Sequence, residues 1–262
     1  MIKILYITNS LDTGGAENIL FNLLKRSSKI ESFIIVLTSL GKYGKELKEN
    51  GYKVVDLDIK KDISSFFKIF YLFFLIIKIK PIIVHTWLYH SNFLGGILAK
   101  IAGIKKIYWS IHHDYEYSNI FIRIEMKILA FLSYLIPQKI IYSSEFSKEN
   151  HIMNGYRREN SEIIENGVSL KEFKNNNLTK EKLRQKLHID KECLILGNIA
   201  RYHPLKDHDN LLKSLKILMK YDLNFKCILI GSGLNNSNLE LLKKIKRLNL
   251  KDKVLLYGES NN

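Results

Sequence analysis

The chain opens with Met1-Ile-Lys-Ile-Leu-Tyr-Ile-Thr-Asn9, a short apolar run that predicts a buried β-strand. The next residues, Ser10-Leu-Asp-Thr-Gly-Gly-Ala-Glu-Asn18, place two glycines before an amphipathic stretch, which predicts a turn and then a helix from about Ala16. The glycine spacing is neither Gly-x-Gly-x-x-Gly nor that of a Walker loop. The stretch therefore supports neither a dinucleotide-binding fold nor a P-loop NTPase.

The same alternation of strands and helices continues over the first 170 residues. Further strands are predicted at 33–38, 53–57, 82–87, 106–112, 139–143 and 162–165, with helices at 16–28, 44–50, 64–79, 93–102, 120–135 and 147–154. Gly51, Gly103 and Gly155 stand where three of these helices would end in a left-handed residue. This pattern predicts an α/β domain over 1–170, with a doubly wound parallel sheet.

A second unit is predicted after a polar linker. The stretch Lys171-Glu-Phe-Lys-Asn-Asn-Asn-Leu-Thr179 is typical of an exposed segment, and we expect a linker and connecting helix over 171–190. The alternation resumes with strands at 194–200, 225–230 and 254–257 and helices at 210–221 and 239–248. Three strands make half of a doubly wound domain. The segment 191–262 is therefore predicted to be the first half of a second, incomplete domain.

Composition excludes several classes of protein. The 262 residues are 46% hydrophobic, which excludes a disordered or fibrous chain. Two cysteines cannot form a disulfide framework and the start of the chain does not look like a secretory signal, so we expect a cytoplasmic protein. The net charge of +15 comes from basic residues scattered through every predicted helix, without a nucleic-acid-binding motif. No nucleic-acid partner is expected.

Two turns have residues that could bind an anion. At Gly14 and Gly15, backbone N–H groups at a helix start could approach a phosphate closely. The alternative is a turn that needs positive φ at one of these glycines, with Glu17 favouring the helix start. After the strand ending near Ala200, Arg201 and Lys206 could reach one diphosphate, or they are two solvated surface cations.

Taken in order, these motifs resemble one family. Gly14-Gly-Ala-Glu17, Glu165-Asn-Gly-Val168, Phe173, and Arg201 with Lys206 follow one another as in glycosyltransferase family 4, the retaining enzymes that use nucleotide sugars. The resemblance covers essentially the whole chain and implies the GT-B architecture, two Rossmann-like domains facing a cleft. The segments His85-Thr-Trp-Leu-Tyr-His-Ser-Asn92 and Trp109-Ser-Ile-His-His-Asp114 look like members that build bacterial surface polysaccharides, such as capsule and lipopolysaccharide.

The resemblance also implies roles for individual residues. Gly14 and Gly15 would face the donor diphosphate, and Arg201 and Lys206 would neutralise charge on the departing nucleoside diphosphate. His112, or His113 if the register shifts by one, would lie beside the transferred sugar. The remaining residues with a structural or cleft role are Glu17, Glu165, Asn166 and Gly167. Retention without a metal or other cofactor is implied, with a nucleotide sugar as co-substrate and a glycan or lipid-linked glycan as acceptor.

One feature departs from the family pattern. No glutamate here has another glutamate eight positions later, whereas family members carry a Glu-x7-Glu motif that holds the ribose and sugar of the donor. We therefore expect a chain truncated before this motif, with weak donor binding. Two rival functions stay open. One is a non-catalytic, degenerate binding or partner module, and the other is a sugar-nucleotide epimerase, which needs acid/base carboxylates that the sequence does not place.

Two other patterns have ordinary explanations. Asp56-Leu-Asp58 and Asp207-His-Asp209 match the Asp-x-Asp metal-binding pattern, but turn formation and helix capping explain both. The histidines at 85, 90, 112 and 113 show no His-x3-His spacing within one predicted helix and no nearby cysteine, so no metal site is expected. Cys193 and Cys227 lie in predicted strands and are expected to be core residues.

The predicted helix Ser64–Ile79 is apolar nearly all round. A fully buried helix is the first explanation. The alternative is a helix that lies in the interface of an anionic membrane, flanked by Lys60, Lys61, Lys68, Lys78 and Lys80. Its longest apolar run, Ile69 to Ile77, is shorter than the roughly 20 residues of a spanning helix. Peripheral attachment to the inner face of the cell membrane is therefore a hypothesis.

Overall fold

A computed structural model describes residues 2–27, 30–60, 62, 64–113, 120–168, 177–221 and 223–260. The chain divides into two compact units, Met1–Val168 and Ser169–Asn262. Phe173, Asp114, Lys61 and most of the polar stretch after Lys171 lie outside the described residues.

Unit 1 is built on a seven-stranded parallel sheet of order β3-β2-β1-β4-β5-β6-β7. Its strands are β1 (Ile2–Ser10), β2 (Ile30–Ser39), β3 (Lys53–Asp56), β4 (Ile83–Trp87), β5 (Lys106–Ile111), β6 (Lys139–Tyr142) and β7 (Ser161–Ile163). Its helices are α1 (Gly15–Arg26), α2 (Gly41–Glu49), α3 (Ser64–Ile79), α4 (Tyr89–Ile101), α5 (Ile120–Leu132) and α6 (Glu145–Met153). The order reverses between β1 and β4, as in a doubly wound fold, so this part of the prediction is confirmed.

Alternate residues of each strand serve two separate cores. Leu5 and Ile7 of β1 point to one face, where they pack with buried residues of α3, α4 and α5. Ile4 and Tyr6 point to the other, where they pack with Leu20 of α1 and other buried residues of α1 and α2. All three glycines predicted to end helices have positive φ, 81° at Gly51, 77° at Gly103 and 97° at Gly155.

Unit 2 carries a three-stranded parallel sheet of order β10-β9-β8. Its strands are β8 (Leu194–Ile199), β9 (Phe225–Ile230) and β10 (Val254–Gly258). Its helices are α7 (Asn177–Lys186), α8 (His208–Leu218) and α9 (Leu239–Arg247). Both cysteines are buried, as predicted. Cys227 lies within β9, but Cys193 lies one residue before β8 begins.

The prediction that α3 is buried all round is wrong. Its buried residues are Leu72, Leu75 and Ile76. The large side chains of α3 that face solvent are Phe66, Phe67, Phe70, Tyr71, Phe74 and Ile77. Among the described helices, none combines the length and the apolar character needed to cross a membrane.

Candidate active-site residues

A cleft of about 290 Å³ lies in unit 1. One wall is α1, with Asn22 and Arg26, and the floor is the end of β4 and β5. The segment after β7 closes it with Glu165, Asn166 and Gly167. Because parallel strands end at the same side of a sheet, the topology brings together residues that are far apart in sequence.

His112 lies in this cleft, one residue beyond β5. Its ring stacks on the indole of Trp87, with centroids 4.5 Å apart and planes 12° from parallel. Both ring nitrogens are buried and have no hydrogen-bond partner within the described residues. Burial, and secondly the neighbouring His113, lowers the pKa of His112 to about 4. At neutral pH the ring is thus an uncharged donor and acceptor that a bound hydroxyl could satisfy.

His113 occupies a different environment. Its side chain is exposed and is not among the residues that line the cleft. Its carbonyl oxygen accepts a hydrogen bond from Ser147 Oγ at 2.9 Å, which fixes the backbone after β5 to α6. Of the two candidate histidines, His112 is the one placed to contact a ligand in this cleft.

A second histidine in the cleft, His85, was not predicted from the sequence as a site residue. It lies on β4, two residues before Trp87, and its Nε2 is 2.8 Å from Ser110 Oγ. Burial, together with His112, lowers its pKa to about 3. The sequence could have indicated His85 through the two-residue period of a strand, because residues 85 and 87 of one strand face the same side of the sheet. A group of three or more residues able to hold a metal was not found in the described part of the chain.

The turn before α1 does not have the positive φ that one of the two interpretations of Gly14 and Gly15 required. Gly14 has φ −144°, which is extended backbone, and Gly15 is the first helical residue, so the idea of a turn with positive φ here is wrong. A Cβ on Gly14 would collide with the Glu17 carboxylate, which accepts a hydrogen bond from Ser10 Oγ at 3.3 Å. A Cβ on Gly15 would meet nothing within 4 Å. The space beside this helix N-terminus is therefore open, but none of these residues lines the His112 cleft.

Arg201 and Lys206 follow the carboxyl end of β8 in unit 2. Both are exposed, and Lys206 ends a single 3-10 turn, Pro204–Lys206. Neither forms a salt bridge with a described residue. The nearby Lys244 instead forms ion pairs with Asp209 at 2.7 Å and Glu240 at 2.9 Å. Two uncompensated cations at a strand's carboxyl end are available to an anionic ligand.

The two Asp-x-Asp segments have structural roles. Asp56 Oδ1 accepts from the backbone N–H of Asp58 at 3.1 Å, as in a turn. Asp207 caps α8 by accepting from the N–H of Asn210 at 3.2 Å, and Asp209 is paired with Lys244. Turn formation and helix capping thus account for Asp56 and Asp207, as the sequence predicted, whereas Asp209 is held by an ion pair.

Comparisons with known proteins agree with this fold. The model of Glycosyltransferase Family 4 matches residues 13–172, and the model of Glycosyl transferases group 1 matches residues 179–262. The capsular polysaccharide biosynthesis glycosyltransferase CapH of Staphylococcus aureus is 25% identical over 100% of this chain and 71% of CapH. EpsF of Bacillus subtilis, named as a glycosyltransferase, is 21% identical over 98% of this chain and 68% of EpsF.

A solved structure shows the same fold. Alr3699/HepE of Anabaena, in complex with UDP and glucose, superimposes with a TM-score of 0.84 at 20% identity, covering 100% of this chain and 70% of HepE. The first family model alone matches more than half of the chain. The chain therefore belongs to glycosyltransferase family 4 and is a glycosyltransferase of the GT-B fold.

Proposed function

We propose that this enzyme transfers a sugar, with retention, from a nucleotide-sugar donor to a glycan or lipid-linked glycan during synthesis of a bacterial surface polysaccharide. The observation that carries the proposal is the uncharged His112, whose buried ring nitrogens lack partners among the described residues, in a cleft with Glu165 and Asn166. The name of CapH supports a capsular product, and the complexes of HepE with UDP and UDP-glucose support a uridine donor.

The proposed chemistry needs no protein nucleophile. The bond between the anomeric carbon and the diphosphate oxygen breaks, and its electron pair goes to the leaving diphosphate. The acceptor hydroxyl oxygen forms the new bond on the same face, and its proton passes to a phosphate oxygen. Arg201 and Lys206 would stabilise the growing negative charge, a contribution of several kcal/mol, about 3–4, for one well-placed donor. The amides of Gly14 and Gly15 are further proposed ligands of the diphosphate.

His112 would hold the transferred sugar. A neutral imidazole can donate one hydrogen bond and accept another, which matches a sugar hydroxyl. Stacking on Trp87 fixes the ring plane, so the ligand does not have to order it. The acceptor would be bound at the cytoplasmic side of the cell membrane. No metal or other cofactor has a role in this proposal.

Transfer assays with UDP-glucose and other nucleotide sugars test the proposal. We expect His112→Ala to lower kcat/KM by about 100-fold or more. His188→Asn is a matched control, because His188 is exposed in unit 2 with a positive φ that asparagine tolerates, and it should leave turnover unchanged. If the unsubstituted chain neither binds UDP nor transfers sugar from any nucleotide sugar, the result favours the non-catalytic alternative.

A further inference from the structure

The solvent side of α3 is covered with aromatic rings. Phe66, Phe70, Phe74 and Ile77 are spaced four, four and three residues apart and form one exposed stripe. Phe67, which is 70% exposed, and Tyr71 widen it. The rings of Phe66 and Phe70 contact each other at 4.7 Å between centroids. The spacing places these side chains along one exposed side of α3.

Helix α5 carries a second stripe on the same side of the sheet. Its exposed members are Phe121, Ile124, Ile128 and Phe131. Helix α4 contacts both α3 and α5, and all three pack on the same core. The two helices that carry the stripes therefore flank α4 on one side of the sheet of unit 1. Soluble monomers rarely expose so much contiguous apolar surface unless it binds something.

The charges around these stripes indicate which kind of surface could bind them. Helix α3 contains no Asp or Glu, and the one acidic residue of α5, Glu125, is paired with His90 at 2.6 Å. Exposed basic residues on these helices and at their ends include Lys78, whose Nζ lies 6.0 Å from the ring centre of Phe74, together with Lys80, Lys100 and Lys127. Two copies of such a face would bring like charges together, which disfavours a homodimer. An anionic surface complements both the rings and the lysines.

We propose that α3 and α5 form a membrane-docking surface that binds the interface of an anionic lipid bilayer. Helix α3 has 16 residues and is about 24 Å long, shorter than the hydrocarbon core of about 30 Å, so it lies in the plane of the membrane. The rings enter the boundary between headgroups and acyl chains, and the lysines approach the lipid phosphates. This inference rests on the proposed function in one respect, namely that a lipid-linked acceptor would be found at this surface.

Flotation of the whole chain with vesicles, without donor or acceptor, tests the docking surface. We expect binding to phosphatidylcholine vesicles that contain phosphatidylglycerol, and much weaker binding to phosphatidylcholine alone. The triple variant Phe67→Ser, Phe70→Ser, Phe74→Ser should lower the partition coefficient by about tenfold or more. These side chains are exposed, so the thermal melting curve should not change. The double variant Lys78→Gln, Lys127→Gln should weaken binding to the anionic vesicles.

A matched control uses apolar residues in unit 2. Ile217 and Leu239 are 56% and 68% exposed, and Ile217→Ser with Leu239→Ser should leave vesicle binding unchanged. Binding that survives the triple phenylalanine variant would overturn the proposal. So would a dimer in sedimentation velocity that this variant dissociates, in a chain that does not bind vesicles. A chain that floats but transfers no sugar contradicts the proposed function alone, and an active chain that does not float contradicts the docking surface alone.

Discussion

At the scale of single residues, the imidazole of His112 couples protonation to folding. Its pKa is about 4 in the folded chain and is expected near its ordinary value of 6.5 in the unfolded chain. Between these values the unfolded chain binds a proton that the folded chain does not. The contribution of His112 to the free energy of unfolding is therefore complete above pH 6.5, and it is lost as the pH falls towards 4. His85, with a folded pKa of about 3, acts in the same direction.

Replacing His112 with phenylalanine should weaken this dependence. His112→Phe keeps a ring on Trp87 and removes two buried nitrogens that have no partner among the described residues. We expect equal or greater stability at about pH 7 and a smaller loss at about pH 4.5 than in the unsubstituted chain. Urea unfolding at both pH values measures the difference. An unchanged loss of stability between them would contradict the lowered pKa.

Arg201 gives a second prediction for a single residue. If its guanidinium stabilises the leaving diphosphate, Arg201→Ala should lower turnover by about two orders of magnitude or more. Arg247→Ala is the control, because Arg247 is also exposed in unit 2 but belongs to α9. Steady-state kinetics with the preferred donor measure both variants. Equal turnover in the two variants would reassign Arg201 to the solvated surface.

At the scale of secondary-structure elements, α6 holds the chain that follows β5. Ser147 is buried, and its hydroxyl donates to the carbonyl oxygen of His113, next to His112. Ser147→Ala should lower the free energy of unfolding by about 1 kcal/mol and should also raise KM, because the chain after β5 is less firmly held. Ser214→Ala removes an exposed hydroxyl bond to Asn210 and should change stability by less. Chemical denaturation and KM measurements check both effects.

The order and type of the elements follow closely from hydrophobic periodicity. All seven strands of unit 1 lie within a few residues of their predicted positions, because a buried parallel strand is a short apolar run between turns. Hydropathy could not determine which sides of α3 have a partner, since that depends on where α4 and the sheet lie. It also could not show that the rings of His85 and His112 both contact Trp87, because hydropathy does not determine which strands pair or in which register.

At the scale of the whole molecule, each unit has its own hydrophobic cores. Both large clusters around the seven-stranded sheet lie within Met1–Val168, and the clusters around β9 lie within unit 2. We therefore expect residues 1–168 expressed alone to unfold in one cooperative transition. Far-UV circular dichroism and thermal denaturation of this fragment measure it. A broad, non-cooperative melt would show that unit 1 depends on unit 2.

The central position of β1 has a consequence for how the protein is made. Ile4 to Thr8 pair on one side with β2 and on the other with β4, which lies about 80 residues later. At a synthesis rate of about 5–20 residues per second, a ribosome needs roughly 4–16 seconds to deliver that second neighbour. From the completion of β3 until β4 arrives, a newly made β1–β2–β3 ribbon presents the unpaired apolar edge of β1. Nascent chains stalled before β4 should therefore bind chaperones more strongly than chains stalled after it.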